Sequence, residues 1–344
     1  MNSYKDDIQQ VFSEDLPWEL LTGTNILITG ATGLIGSTLV EVLMSNPHRD
    51  YCVYAMGRNE ERAHQRFGDY FTLDSFHFVK HDVMSPLGNE VRYDYIIHAA
   101  SNASPYAFSM NPVEIIKSNI YGVSNLMEYG LKHGMKRFLF VSSGEVYGEG
   151  DGRVFTEEYS GYVNCLNPRS CYPSSKRTSE TLCASYSSEY GLDVVIARPC
   201  HIYGPNFTET DNRAYAQFIR NILKGEDIIM KSSGEQFRSW CYVVDCVSAL
   251  LFILFKGTSG EAYNIADPTS VMTIRQLAEM LAEIGKRKVV IEASSIVEQK
   301  GYNPVSKSVF SVGKLEDLGW KVSGTMEEKM MKTVNYLKSI QYVI

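Results

Sequence analysis

The chain has 344 residues, 44% of them apolar and 21% charged, a globular balance that excludes a disordered chain or a fibrous repeat. Its 33 Lys and Arg against 40 Asp and Glu give a net charge of −7, so nucleic acid and anionic membrane surfaces find no general attraction here. No apolar run approaches the roughly 20 residues that a bilayer crossing needs, and an anionic ligand must be held in a pocket by a few local cations and backbone amides.

Residues 1–23 read as an N-terminal extension. Within it, 4–21 fit one short amphipathic helix stopped near Pro17, with none of the basic-then-apolar order of a secretory signal. A cytoplasmic protein is expected. The 7 cysteines are odd in number and form no C-x-x-C pair, which favours reduced thiols and no metal site.

Asn25–Thr29 is a short apolar run ended by glycine, suited to a strand buried on both faces, and a helix pattern follows over 34–44. Further apolar runs at 52–56, 76–79, 95–98, 138–141 and 193–197 alternate with helical stretches such as 113–133 and 172–190. This rhythm predicts an α/β fold, a Rossmann-like doubly wound parallel sheet carried mainly by residues 24–200. From 201 to 344 the chain loosens into Pro-, Asn- and Thr-rich loops with helices near 214–224, 245–255, 274–284 and 325–337. That predicts a smaller C-terminal substrate-binding lobe, interleaved with the sheet.

Gly30-Ala-Thr-Gly33-Leu-Ile-Gly36 follows the first strand and opens a helix, the context a dinucleotide-binding turn requires. Glycine allows the tight turn and the close approach of backbone to a pyrophosphate, while the helix N-terminus offers unpaired amides. After the second strand, where an acid would hold the ribose of NAD, stands Met56-Gly57-Arg58-Asn59. Arg58 can pair with a 2′-phosphate, which suggests NADP, or stack on adenine in a site that takes NAD. Asp82 and Val83, just past the third strand, are placed to meet the adenine ring.

Ser143 lies just past the fifth strand, and Tyr172 and Lys176 share one face of a helix downstream. An ammonium beside the phenol favours the ionised tyrosine, giving a general base, with the Ser143 hydroxyl to orient the substrate oxygen. Such a set moves a proton while a nicotinamide takes a hydride.

Together these motifs resemble the extended short-chain dehydrogenase/reductase family of nucleotide-sugar epimerases, dehydratases and decarboxylases, over residues 24–340. The likeness includes His98-Ala-Ala-Ser101, Arg198-Pro-Cys-His-Ile-Tyr-Gly-Pro205, Arg238-Ser-Trp-Cys-Tyr-Val-Val-Asp245, Tyr263-Asn-Ile-Ala266 and Leu318-Gly-Trp320. Within the family, Ala100-Ser-Asn-Ala-Ser-Pro105, Gly144-Glu145-Val-Tyr-Gly148 and Asn167-Pro-Arg-Ser-Cys-Tyr172 are most similar to the UDP-glucuronate decarboxylase branch. The resemblance implies an NAD or NADP site built from Gly30, Thr32, Gly33, Leu34, Ile35, Gly36, Arg58, Asp82, Val83, Ala99, Ala100, Ser101, Tyr172, Lys176 and Arg198. It implies a nucleotide-diphosphate sugar held by Ser101, Asn102, Arg169, Asn206, Arg213 and Arg238, with Glu145 facing the sugar and Asn119 supporting the active-site helix. It also implies a homodimer paired through 113–133 and 172–190.

Three departures stand out: Gly57-Arg58 replaces the acid after strand two, Lys307 stands where decarboxylases carry an arginine, and Gly144 replaces the leaving-group acid of a 4,6-dehydratase. The implied chemistry is C4 oxidation of a nucleotide-linked hexose to a 4-ketosugar, followed by decarboxylation. An NADPH-dependent 4-ketosugar reductase, a 4-epimerase and a non-catalytic NADP-sensing member of the fold stay open at this point.

Overall fold

The computed structural model describes residues 3–292 and 305–340. In chain order, the first half runs α1 (Tyr4–Gln10), β1 (Thr24–Thr29), α2 (Leu34–Ser45), β2 (Tyr51–Gly57), α3 (Glu60–Phe67), β3 (Phe76–Lys80), β4 (Tyr95–His98), α4 (Pro105–Met110), α5 (Pro112–His133), β5 (Arg137–Val141), α6 (Cys171–Tyr190) and β6 (Val194–Pro199). The second half runs β7 (His201–Tyr203), α7 (Ala214–Lys224), β8 (Ile228–Met230), β9 (Phe237–Tyr242), α8 (Val243–Lys256), β10 (Ala262–Ile265), β11 (Val271–Thr273), α9 (Ile274–Gly285), β12 (Val289–Ile291), β13 (Lys307–Ser308), α10 (Gly313–Glu316) and α11 (Met326–Ser339).

Seven strands form one parallel sheet in the order β3-β2-β1-β4-β5-β6-β10. Every residue of β4 is buried, as a strand covered on both faces requires. One face packs against α2 and α8 through residues such as Leu39, Leu43, Leu250 and Ile253. The other packs against α5 and α6 through Val123, Met127, Cys183 and Tyr186. The order reverses between β1 and β4, the switch point at which a parallel sheet offers a crevice beside its C-terminal edge.

The seventh strand, β10, comes from residues 262–265, so the second half of the chain leaves the sheet and returns to its edge. Between those visits it builds a small sheet around β9, which pairs with β7, β11 and β13. Helices α7 and α9 pack beside it.

The extension departs from the single helix expected over 4–21. Helix α1 ends at Gln10, and short 3₁₀ turns at 11–13 and 18–21 carry the rest. The Ser13 hydroxyl bonds the Gln10 carbonyl, and proline at 17 disfavours helical backbone in the residue before it. The extension is not loose: Tyr4 is fully buried, with its hydroxyl donating to Glu41 at 3.0 Å.

The turn after β1 is the tightest point of the sheet edge. Gly30 has φ +66°, and a Cβ there would lie 2.7 Å from the Ala99 carbonyl oxygen, so only glycine lets the β1 and β4 loops touch. A Cβ on Gly36 would lie 2.3 Å from the Gly30 carbonyl oxygen, which is how closely α2 sits on that turn. Gly36→Ala is therefore expected to destabilise the protein by about 2 kcal/mol or more through a backbone shift. Urea denaturation measures this, and an unchanged midpoint would show that helix and turn can separate freely.

Candidate active site

The crevice continues into a cleft of about 530 Å³ between the sheet edge and the β9 region. Its wall on the sheet side is supplied by Ser143, Tyr172 and Lys176. Ser143 follows β5 and caps the next turn, its Oγ accepting from the Glu145 amide at 3.2 Å. Tyr172 and Lys176 lie in the first turns of α6, where a four-residue spacing puts both on the face turned to the sheet. The Tyr172 ring stacks on Phe108 at 4.7 Å between centroids.

Behind these residues a buried relay fixes the helix. Ser101 donates to the Asn119 Oδ1 at 2.8 Å, the Asn119 amide donates to Ser175 at 2.8 Å, and Ser175 donates to the Cys171 carbonyl at 2.6 Å. Asn119 thus occupies the supporting position expected of it.

Burial dominates the protonation of the pair. The Tyr172 phenol is pushed up to about 12 by desolvation, then by the Glu145 charge, while hydrogen bonds with Ser143 and Ser101 pull it back. Lys176 is pushed down to about 7 by desolvation; its ammonium donates to the Val141 carbonyl at 2.8 Å and lies 5.8 Å from the Tyr172 ring centre. Loss of solvent outweighs the pairwise attraction for both groups.

Glu145 and Arg169 face each other as a bidentate pair at 2.7 and 2.9 Å, and Arg169 lies on the face of Phe108 at 4.6 Å. Arg213 is held by Asp211 and by the Tyr215 hydroxyl at 3.1 Å. Arg238 is 4% exposed, donates to the Phe237 carbonyl at 3.0 Å and to the Val305 carbonyl, and forms no ion pair among the described residues. Burial pushes it down to about 10, with the Glu145 charge acting against that shift. All three arginines line the same cleft. Three buried or half-buried guanidiniums against the two carboxylates that pair with them, Glu145 and Asp211, make it a site for an anion despite the acidic surface.

The β1 end holds the residues expected for a dinucleotide. Gly33 caps α2, Leu34 and Ile35 start it, and Thr32 packs beside Gly57. Ile35, Ala99 and Ser101 line the cleft next to Tyr172 and Lys176. Ala100 joins them through its amide, which donates to Thr29 Oγ1 at 3.2 Å. A glycine turn that a Cβ would fill, facing a helix N-terminus, fits a bound pyrophosphate. Arg58 is 66% exposed and stands 3.6 Å from Asp82 and 3.7 Å from Glu114, so two carboxylates flank it. Val83 gives its carbonyl to the Asn125 amide at 2.9 Å.

Four expected residues are turned elsewhere. Arg198 makes a bidentate pair with Glu180 at 2.7 and 3.0 Å and lies on Tyr147, which spends its guanidinium on α6 instead of a cofactor. The Asn206 amide donates to Tyr4, Thr38 and Glu41, anchoring the extension. Asn102 accepts from the Ser104 amide in an exposed turn, and neither asparagine lines the cleft. Lys307 donates to the Gly152 carbonyl at 2.8 Å and also lies outside the cleft lining, so it does not stand in for an arginine there. The cysteines are free thiols, as expected, with Cys165 exposed, Cys52 and Cys200 half-buried and Cys171, Cys183, Cys241 and Cys246 buried. Conversely, Phe108, His201, Trp240 and Phe310 line the cleft without having been singled out. Phe310 matters to Gly144, where a Cβ would lie 2.1 Å from its ring.

Residues 26–266 match the family model described as the NAD dependent epimerase/dehydratase family. UDP-glucuronic acid decarboxylase 1 of Xenopus tropicalis is 33% identical over 91% of this chain and 72% of its own length. UDP-glucuronic acid decarboxylase 6 of Arabidopsis thaliana is 35% identical over 88% of this chain and 85% of its own. Among solved structures, UDP-glucose 4-epimerase from Thermotoga maritima, with UDP-glucose, superposes with a TM-score of 0.77 at 26% identity over 92% of this chain and 99% of that one. The dTDP-glucose 4,6-dehydratase of Streptomyces venezuelae, with NAD bound, gives 0.80 at 25% identity over 92% and 97%. No helix among the described residues is long and apolar enough to cross a membrane.

The Lys176 environment makes a pH signature. Between about 7 and the ordinary lysine value of 10.5 the unfolded chain holds a proton at this position that the folded chain lacks, so stability rises with pH across that window. In Lys176→Met this contribution is absent. The stability difference between wild type and variant should move in favour of wild type by on the order of 2 kcal/mol from pH 7 to pH 9, read from urea denaturation of both proteins. A difference that stays constant would mean that Lys176 keeps its charge in the fold.

Proposed function

Because the chain belongs to the NAD dependent epimerase/dehydratase family, we propose that it oxidises a nucleotide-linked hexuronic acid at C4 and releases the C6 carboxylate as carbon dioxide. The observation that carries this reading is the Glu145–Arg169 pair beside Tyr172, because it places one carboxylate and one guanidinium at the wall where the sugar must meet the phenol. The named relatives act on UDP-glucuronic acid by their names, which supports the same substrate here.

In this reading the Gly30–Gly36 turn, Ile35, Ala99 and Ser101 hold the dinucleotide, whose oxidised nicotinamide supplies the hydride acceptor. Tyr172 takes the C4 hydroxyl proton, and Ser143 and Ser101 orient the oxygen through hydrogen bonds. Lys176 lies close enough to stabilise the phenolate as it forms. With a ketone at C4 the C6 carboxylate is β to a carbonyl, so the C5–C6 bond can break, its electrons entering the C4–C5 enolate as carbon dioxide leaves. Glu145 and Arg169 manage the carboxylate and the proton that returns to C5. Arg213 and Arg238 neutralise the diphosphate.

For the cofactor, NAD fits better than NADP. A 2′-phosphate at Arg58 would also meet Asp82 and Glu114, and the bound dinucleotide of the similar dehydratase is NAD. The same flanking removes the main support for an NADPH-dependent ketoreductase. The convergence of Ser143, Tyr172 and Lys176 on one wall supports an enzyme over a non-catalytic sensor.

Incubating the purified protein with UDP-glucuronate and NAD should release carbon dioxide, more slowly when NADP replaces NAD. Tyr172→Phe should lower turnover by about two orders of magnitude or more with little change in substrate binding, and Glu145→Gln should abolish carbon dioxide release. No carbon dioxide from wild type, together with oxidation of NADPH on a nucleotide-linked 4-keto-6-deoxyhexose, would replace decarboxylation by ketoreduction.

We also propose a homodimer. Val113, Ile116 and Tyr121 on α5 and Tyr190 at the end of α6 expose apolar surface at 63%, 39%, 48% and 50%, and a second copy of the same helix pair would cover it. Light scattering should give twice the chain mass of 38.8 kDa, and a monomer mass at micromolar concentration would rule the pairing out.

A further inference from the structure

Asn206 follows β7 yet turns its side chain away from the cleft and into the N-terminal extension, a contact the catalytic scheme does not use. Its amide is buried and donates to the Tyr4 hydroxyl at 2.8 Å, to Glu41 Oε1 at 3.0 Å and to Thr38 Oγ1 at 3.2 Å. The Tyr4 hydroxyl passes its own proton to Glu41 Oε2 at 3.0 Å, so this one oxygen both accepts and donates. Tyr4 is fully buried, and its ring packs on Tyr336 of α11 at 4.7 Å between centroids. A phenol hidden this completely needs its hydrogen bonds, and Asn206 supplies one of them. The first helix of the chain and the loop after β7 therefore hold each other.

What that loop carries gives the contact its function. Residues 206–213 run from the anchor to the cleft, and a series of contacts joins the two ends. The Asn206 carbonyl accepts from Arg66 at 2.9 Å. Phe207 is buried, meets the Tyr215 ring edge-on at 5.9 Å and lies under the Arg220 guanidinium at 5.5 Å. Arg220 donates to the Asp211 carbonyl, and the Asp211 carboxylate accepts from Arg213 Nε at 2.9 Å and from the Tyr215 hydroxyl at 3.2 Å. Arg213 and the first residues of α7, Ala214 and Tyr215, line the cleft. Glu209 and Thr210 in mid-loop are exposed, so the loop is gripped at its ends.

We propose that Tyr4, acting through Asn206, is a positioning residue for the substrate: it holds the 206–213 loop where Arg213 faces the diphosphate. A guanidinium binds phosphate through a rigid fork of N–H groups, so its affinity depends on where its backbone is held. A loop that is ordered before the ligand arrives also spares the cost of ordering it on binding. The extension is thereby a working part of the substrate site and not only a cover for α2. This inference rests on the nucleotide-sugar reading, in which Arg213 neutralises the diphosphate.

Tyr4→Phe removes the one oxygen and keeps the buried ring, while Arg213→Met removes the guanidinium that is positioned. Calorimetry with UDP and, separately, with NAD is run on wild type, both single variants and the double variant, and urea midpoints confirm that each is folded. Tyr4→Phe should weaken UDP about 3- to 10-fold, the worth of one hydrogen bond, and NAD by less than about 2-fold. In the Arg213→Met background the same change should cost UDP less than about 2-fold, because the group it positions is gone. With UDP-glucuronate the loss in Tyr4→Phe should fall on KM, leaving kcat within about 2-fold of wild type. Asn206→Leu, close in shape and without the donor amide, carries the same test from the other side of the bond. A merely structural role weakens UDP and NAD together, since Thr38 and Glu41 belong to the helix that follows the glycine turn, and that result overturns the proposal. So does an unchanged UDP affinity in both Tyr4→Phe and Asn206→Leu, or a loss that persists in full without Arg213. Failure of UDP to bind wild type, or binding indifferent to Arg213→Met, removes the nucleotide-sugar reading of this arginine and this inference with it. UDP binding that depends on Arg213 but not on Tyr4 or Asn206 removes this inference alone.

Discussion

A parallel sheet delivers the C-terminal end of every strand to one edge, and here the β1 and β4 ends are brought into backbone contact at Gly30 and Ala99. Everything functional is arranged around that contact. It sets α2 with its N-terminus toward the crevice, and it fixes Ser101 where it can bond Asn119 and Tyr172. From Asn119 the relay passes through Ser175 to the Cys171 carbonyl at the start of α6, so the glycine turn and the tyrosine are parts of one rigid body. Rigidity of this kind is what proton transfer needs, since a misplacement of about 1 Å can cost two orders of magnitude in rate.

The electrostatics of the cleft follow from burial more than from pairing. Tyr172 and Lys176 are both moved toward their neutral forms, the phenol upward and the ammonium downward. Around side chains buried this deeply, any added positive charge next to the phenol acts through a low dielectric and shifts it strongly. The apolar packing of Tyr172 on Phe108, and of the Lys176 ammonium over the Phe140 ring, therefore tunes the chemistry as well as the fold. The arginines divide in the same way. Arg169 and Arg213 come with carboxylates that hold them in place, while Arg238 is satisfied by backbone carbonyls and makes no ion pair among the described residues. An acidic protein can thereby offer a cationic floor at one point of its surface.

The second half of the chain contributes position more than new chemistry. Strand β9 carries Arg238 and Trp240 on one face, and β7 places His201 opposite them. Phe310, arriving beside β13, fills the space in front of Gly144, so the absence of a side chain at 144 and the presence of a ring at 310 are one packing solution. The extension enters the same construction from behind, because Tyr4 holds Asn206 at the start of the loop that leads to Asp211 and Arg213.

The amino-acid sequence by itself determined the strands and helices of the large sheet, the glycine turn, and the Ser143, Tyr172 and Lys176 wall. Each of these is written in a local code: a buried strand is a continuous apolar run, a turn needs glycine, and a helix face repeats every three or four residues. Asn119 and the cleft arginines were reached through family resemblance, which carries tertiary information that spacing alone does not. Arg198, Asn206 and Lys307 show where that information stops. Their side chains are claimed by Glu180, by Tyr4 and by the Gly152 carbonyl, partners 18, 202 and 155 residues away. The His201–Trp240 pair had no local signal either, since it is made by two strands that meet only when the β9 sheet forms. Only the tertiary structure decided these, because the partner of a polar side chain is chosen by which distant segment the fold brings within about 3 Å of it.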